Sequence, residues 1–133
     1  MPAASKTTEI SVKIGNHPGD LARLLSTIST RSINILAYCA YSERDNGIVH
    51  IVTEDPQRAQ AALTEAGYEF KTNLVVVVAA TDRVGAAAAL GARLADAGIN
   101  ILYSYASSSG GDEFHAVFKT DKDDDVLRVL DSA

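Results

Sequence analysis

The chain has 133 residues, the size of one ordinary domain or of two small ones. Its 47% hydrophobic and 22% charged residues fit a globular protein, and a net charge of −5 offers no electrostatic footprint for nucleic acid or an anionic membrane surface. The single cysteine, Cys39, excludes an internal disulfide and any two-cysteine metal motif. No run approaches a membrane span, and MPAASKTTE lacks the apolar core of a secretory leader, so a cytoplasmic location is expected.

In chain order, ISVKI (10–14) alternates apolar and polar residues and predicts a half-buried strand. NHPGD follows as a turn, with Asn16 or His17 as the expected N-cap and Pro18 near the first helical position. Leu21, Leu24, Leu25 and Ile28 fall at i, i+3, i+4 and i+7, one stripe of an amphipathic helix. INILAYCAY (33–41) predicts a strand, SERDNG (42–47) a hairpin turning at Asn46-Gly47, and IVHIVT (48–53) the strand that pairs back. Asp55 and Pro56 read as N-cap and first residue of a second helix, with Ala59, Ala62, Leu63 and Ala66 facing inward and Gly67 ending it. YEFKTN (68–73) is a short strand candidate. The order β-α-β-β-α-β is the ferredoxin-like plan.

The tetrapeptide INIL occurs at 33–36 and again at 99–102, and the surroundings repeat at the same offset of 66. Gly19 meets Gly85, Leu24 meets Leu90, Ile28 meets Leu94, Ser42 meets Ser108 and Asp55 meets Asp121, with no gap needed between residues 10 and 65. The helical stripe returns as Ala87, Leu90, Gly91 and Leu94, and Gly98 closes that helix. The last helix is expected to start at Asp121 and to bury Val126, Val129 and Leu130, after which the chain stops before any fourth strand. The expected fold is α+β: two ferredoxin-like βαββαβ modules side by side, residues 9–73 and 74–133, each an antiparallel sheet with helices on one face. The second lacks an obvious last strand. Both faces of 33–41 and of VVVV (75–78) are apolar, which predicts that a second copy covers the free face, as a homodimer.

Catalytic motifs are absent: there is no G-x-S-x-G, no P-loop and no Cys/His pair with local context, so no enzyme activity and no cofactor is expected. His50 and His115 lie 65 apart rather than 66, which predicts opposite sheet faces and no shared metal site. Cys39 reads as packing, and DKDDD (121–125) as a solvated helix start.

The informative stretch is GNHPGD (15–20), with Asn34 fifteen residues beyond Gly19 and Asn100 fifteen beyond Gly85. A helix N-terminus presents free N–H groups to an anion, and glycine lets a ligand approach the backbone. N-x-P-G-x-L, helix, I-N-I and hairpin, written twice, resembles the ACT domain, the small-molecule regulatory module of many amino-acid-metabolism enzymes. The resemblance covers residues ~9–133 and implies a regulatory protein that binds a free amino acid between modules and signals to a partner metabolic enzyme. It places the ligand on Asn16, His17, Gly19, Asp20 and Leu21 with Asn34, and, by the repeat, on Asp82, Gly85 and Ala86 with Asn100. Loop and strand would pair across modules, Asn16 with Asn100 and Asp82 with Asn34, while amides at the helix starts hold the carboxylate. The second loop departs from the pattern, with DRVG in place of NHPG. The rival expectation is a ligand-free assembly module.

Overall fold

The computed structural model describes residues 3–108 and 111–131. In chain order its elements are β1 (Ala3–Gly15), α1 (Asp20–Ser29), β2 (Ile35–Glu43), β3 (Asn46–Thr53), α2 (Pro56–Glu65), β4 (Phe70–Thr81), α3 (Ala86–Asp96), β5 (Tyr103–Ser108), β6 (Glu113–Lys119) and α4 (Asp123–Asp131). They form two compact units: Thr8–Asn73 is the first module, and residues 3–7 with those from Leu74 onward make the second.

In the first module the strands run in the order β2-β3-β1, antiparallel, with Ile10 opposite Ile51 and Tyr38 opposite Ile51 on the other side. The stripe read from sequence is the buried one. Leu24 and Ile28 of α1 and Ala59 and Leu63 of α2 pack with Ile10, Val12, Ile33, Val49 and Ile51 into one core, with Leu21 and Leu25 half-buried beside it. Each of the buried Leu, Ile and Val side chains among them stabilises the fold by about 1.5–3 kcal/mol. Asp55 caps α2 as expected, its carboxylate accepting from the Arg58 N–H, with Pro56 next in line. The last residues of the module, 70–73, open β4, the strand next to β1.

The second module repeats the plan with β4-β6-β5, Val77 opposite Val117 and Tyr105 opposite Val117. Its core joins Val76, Val78 and Ala80 to Leu90 and Leu94 of α3, Phe114, Ala116 and Phe118 of β6, and Val126 and Leu130 of α4. The strand missing after α4 comes from the start of the chain. Residues 3–7 of β1 belong to this unit, where Ala4 packs on the core and its N–H donates to the Asp131 carboxylate, and the Lys6 ammonium pairs with Asp124 at 2.8 Å.

Several sequence expectations need correction. The strands ISVKI and YEFKTN are the middle and the beginning of much longer ones: β1 takes 13 residues, and YEFKTN runs on into VVVV as one 12-residue strand. INILAYCAY starts its strand at Ile35, not Ile33. The first hairpin turns at Arg44-Asp45, with Arg44 at φ +58° and Asn46-Gly47 already in β3 paired to Gly15 and Ile14. The repeat is not free of gaps. Cα pairing joins Ser42 to Gly47 in the first hairpin but Ser108 to Phe114 in the second, so the second hairpin holds one extra residue and the offset becomes 67 beyond it. Ala59 and Leu63 therefore correspond to Val126 and Leu130, and Asp55 to Lys122 rather than Asp121. The helix-opening bonds agree: Ala59 N–H to Asp55 C=O, Val126 N–H to Lys122 C=O. Accordingly α4 begins at Asp123 instead of Asp121.

The same slip overturns the reading of the two histidines. His115 takes the place of Ile48 and His50 that of Val117, two residues apart, so both lie on the face turned away from their own module's core. The premise of the dimer expectation also changes. Val75, Val76, Val77 and Val78 are all buried within the single chain, at no more than 7% exposure, so VVVV needs no second copy to cover it.

Candidate functional site

The stretch GNHPGD folds as a turn set at the mouth of the first module. The Asp20 N–H donates to the His17 carbonyl at 3.1 Å, and Gly19 sits at φ +91°, ψ −15°, the third position of a type II turn that favours proline second and glycine third. This is the physical reason for the PG dipeptide. The second copy builds the same turn without the proline: Ala86 N–H to Arg83 C=O at 3.1 Å, Gly85 at φ +87°, ψ −6°. In both modules the glycine is the helix N-cap, and neither helix start has a side-chain cap, which corrects the assignment of that role to Asn16 or His17.

Asn16 does something else. Its side-chain oxygen accepts a hydrogen bond from the Ser42 hydroxyl at the end of β2, at 3.2 Å. In the second module the Asp82 carboxylate accepts from Ser108 at the end of β5, at 3.4 Å. The loop and the strand end are thus tied twice by equivalent residues, and the match of Ser42 with Ser108 at the repeat offset was the sequence signal for it. These serines were not among the expected site residues.

Asp20 changes the electrostatics of the first loop. Its Oδ2 accepts from the backbone N–H of His17 at 3.0 Å and faces the His17 ring at 3.2 Å, while Oδ1 accepts from Arg23 at 2.6 Å. The Arg23 hydrogen bond, helped by those from His17, holds the carboxyl below its ordinary value against a partial desolvation. A Cβ on Gly15 would lie 2.6 Å from Asp20 Oδ2, so Gly15 is what lets this carboxylate fold back onto the turn. Two of the amides expected to receive a ligand's carboxylate, and the neighbouring His17 N–H, have partners within the turns. The Asp20 and Ala86 N–H groups are bonded inside their own turns, and the His17 N–H already holds an internal anion.

A cavity of about 190 Å³ opens beside this loop, lined by Asn16, His17, Asp20 and Leu21 on one side and by Tyr41 and Ser42 of β2 on the other. Gly19 faces a separate shallow groove along α1. Asn34 is elsewhere. It precedes β2, with its side chain exposed and its backbone bonded both ways to Glu54: N–H to the Glu54 carboxylate, C=O from the Glu54 N–H. Eight residues of strand between Asn34 and Ser42 span about 26 Å, so the first module does not bring Asn34 to Asn16. Asn100 likewise precedes β5 and is exposed, as are Asp82 and Gly85, with Ala86 half-buried. Among the described residues no group of three His, Cys, Asp or Glu side chains is placed to hold a metal ion, and no helix is long and apolar enough to cross a membrane.

The model of the ACT domain pair matches residues 6–131. No curated protein matches the chain. Among solved structures, protein BT0572 from Bacteroides thetaiotaomicron superposes with a TM-score of 0.82 at 24% identity, covering 97% of this chain and 89% of that one. The aspartokinase alpha and beta subunits superpose at 0.62 with 19% identity, covering 98% of this chain and 95% of that one. The ligand-free regulatory subunit of aspartate kinase from Thermus thermophilus gives 0.65 with 16% identity and the same coverages, 98% and 95%. At these identities the likeness is one of fold. With the family pattern spanning both duplicated modules, both glycine turns and the strands between them, the chain belongs to the ACT-domain-pair family.

Proposed function

We propose that this protein is a non-catalytic regulatory module that binds a free amino acid and signals its level to a partner metabolic enzyme in the cytoplasm. One observation carries the reading: the first module's turn and the end of β2 flank a cavity whose polar lining includes the Asn16 carboxamide, the Ser42 hydroxyl and the Asp20 carboxylate, with the His17 ring and the Tyr41 hydroxyl beside them. A carboxamide offers both a donor and an acceptor, and a carboxylate suits an ammonium, so the set is complementary to a zwitterion. The polarity differs from the sequence expectation: Asp20 receives the ammonium, and the carboxylate points to Asn16 and Ser42. His17 and Leu21 shape the rim. The family is one of regulatory small-molecule modules, and two of the similar folds are, by name, aspartokinase subunits and a regulatory subunit of aspartate kinase. Ligand bound at the loop stabilises one arrangement of the chain over another, which is the physical content of a signal. Self-association as a homodimer belongs to this reading through the edge strands β2 and β5, whose outer backbone groups have no strand neighbour in their own modules.

A ligand-free assembly module is the second reading, and the Asp20 carboxylate favours it, because an internal anion already occupies the His17 N–H. Amide chemical-shift mapping separates the two. A titrated amino acid should move resonances at 15–21 and 40–48 in a saturable way; an unmoved loop across the standard amino acids at millimolar concentration supports the assembly reading instead.

A further inference from the structure

The two modules give each strand position an internal control, and one group of positions breaks the symmetry. On the face of the first module turned away from its helices, Ser11 of β1 stands opposite His50 of β3, with Glu9 two residues before Ser11. The equivalent positions of the second module are Val77 opposite Val117, with Val75 two residues before. Three valines there are buried and support the same fold, so the fold does not require polar residues at these sites.

The first module nevertheless keeps a connected polar network. Glu9 is fully buried; its carboxylate accepts from the Asn73 carboxamide at 3.0 Å and lies 3.4 Å from His50 Nδ1. Asn73 also donates to the Ser11 hydroxyl at 3.1 Å, and Ser11 lies 2.6 Å from the same His50 nitrogen. The other ring nitrogen, Nε2, lies 3.1 Å from the Tyr41 hydroxyl. With its proton on Nδ1, His50 donates toward the Ser11 and Glu9 oxygens and Nε2 accepts from Tyr41; with the proton on Nε2, Ser11 donates to Nδ1 and the Tyr41 oxygen accepts. Partial burial, and then the charge of Glu43, push the Tyr41 phenol above its ordinary value, so its proton stays. Burying a carboxylate is unfavourable where an apolar side chain would serve, and the residues it orients point the same way. Ser11, His50 and Tyr41 line a cavity of about 380 Å³, within the usual 300–1,000 Å³ or so of ligand sites. Lys13 and Lys71 bring two positive charges to its lining, and Glu43 and Glu69 two negative ones. A balanced lining favours a molecule that carries both charges over a simple anion or cation.

We propose that this helix-free face of the first module is a second binding site, for a small zwitterionic molecule, with Tyr41 and His50 as its polar floor and Glu9 as the group that orients them. It adjoins the loop cavity at Asn16 and Ser42, sharing Tyr41 and Ile48 with it, and is set apart by Ser11, His50 and Lys71, which line this cavity alone of the two; the second module carries valines at the places of Glu9, Ser11 and His50.

The test is calorimetric titration of the full chain with each of the twenty standard α-amino acids, on the wild type, on E9V/S11V/H50V and on N16A. The triple variant copies residues the second module already carries, and circular dichroism checks that it folds. At least one amino acid should bind the wild type, lose tenfold or more in affinity in the triple variant, and keep its affinity within about threefold in N16A. Should the triple variant fail to fold, Lys71→Ala leaves the buried network in place, changes a residue that lines this cavity and not the loop cavity, and should weaken the same ligand three- to tenfold. Binding that N16A abolishes while E9V/S11V/H50V and Lys71→Ala leave it unchanged overturns the second site and leaves the loop reading standing. A panel in which nothing binds the wild type overturns both.

Discussion

Ser11 and His50 face each other across β1 and β3 in the same register in which Val77 and Val117 face each other across β4 and β6. One pair is hydrogen-bonded at 2.6 Å, and the other is two buried valines. Duplication has left two solutions to one packing problem in a single chain, and their energetics can be compared directly. Asn73→Ala removes one donor to Glu9 and one to Ser11 and should cost about 1–3 kcal/mol, the penalty of losing hydrogen bonds to buried polar groups. E9V/S11V/H50V removes the whole set and should fall within about 1 kcal/mol of the wild type or above it. Urea unfolding of both variants checks the order; a triple variant less stable than Asn73→Ala contradicts it.

The turn glycines make a second prediction. Gly19 and Gly85 both hold φ near +90°, so alanine at either should destabilise by about 1 kcal/mol or more. At Gly15 the reason is space rather than φ: Gly15→Ala should be harmful with Asp20 present and much less so with Asp20→Ala, because the added Cβ meets that carboxylate. A double-mutant cycle on thermal midpoints reads the coupling; simple additivity argues against the contact.

Ser32 offers a gain. It holds φ +60° at the position the second module fills with Gly98, and both residues donate the same turn bond, to Ser29 and to Ala95. Ser32→Gly should therefore stabilise the first module by up to about 1 kcal/mol, since an L-residue in this region carries strain of about that size. Denaturant midpoints measure it, and a loss of stability would contradict the equivalence.

Acid should weaken the fold through two exposed pairs. The Asp20 carboxyl is held below its ordinary value chiefly by Arg23, and Asp124 chiefly by Lys6. A folded-state value below the unfolded one means stability that is present above the ordinary 3.8 and lost as pH falls through the lowered value. Lys6, raised by Asp124, works in the opposite sense: its share is present below 10.5 and lost as pH rises through its raised value. Urea midpoints compared between about pH 6 and about pH 3 should fall less in Arg23→Ala and Lys6→Ala than in the wild type.

The first residues of the chain carry a fifth expectation. Removing residues 1–7 deletes the strand that completes the second module, with Ala4 on its core and the ties to Asp124 and Asp131. The loss should be about 1–3 kcal/mol and local. Amide exchange should quicken at 75–80 and 124–131 more than at 47–53; uniform quickening would mean the strand does not belong to that unit.

Much of the fold was legible because periodicity survives duplication: the stripe Leu21, Leu24, Leu25, Ile28 and the Asp55-Pro56 helix start are local signals. What escaped was non-local. SKTTE has little apolar pattern of its own and is strand as part of β1, beside β4 far along the chain, with Lys6 paired to Asp124. The extra residue of the second hairpin was hidden because Asp55 and Asp121 match by letter at 66, while the backbone equates Asp55 with Lys122. Asn34, singled out as the polar letter of INIL, lies before its strand and is bonded through its backbone to Glu54. Of the expected first-module residues, the structure gathers Asn16, His17, Asp20 and Leu21 at one cavity and sets Gly19 and Asn34 outside it. The Glu9 network had a visible signature, since Glu9 and Ser11 align with Val75 and Val77 at the repeat offset.

A thermal-shift screen of the full chain against the standard amino acids decides whether this protein senses one of them. An amino-acid sensor predicts that one or a few raise the melting temperature by several degrees, since a ligand at 100 times its Kd adds about 2.7 kcal/mol. A flat response to every amino acid at millimolar concentration would contradict it.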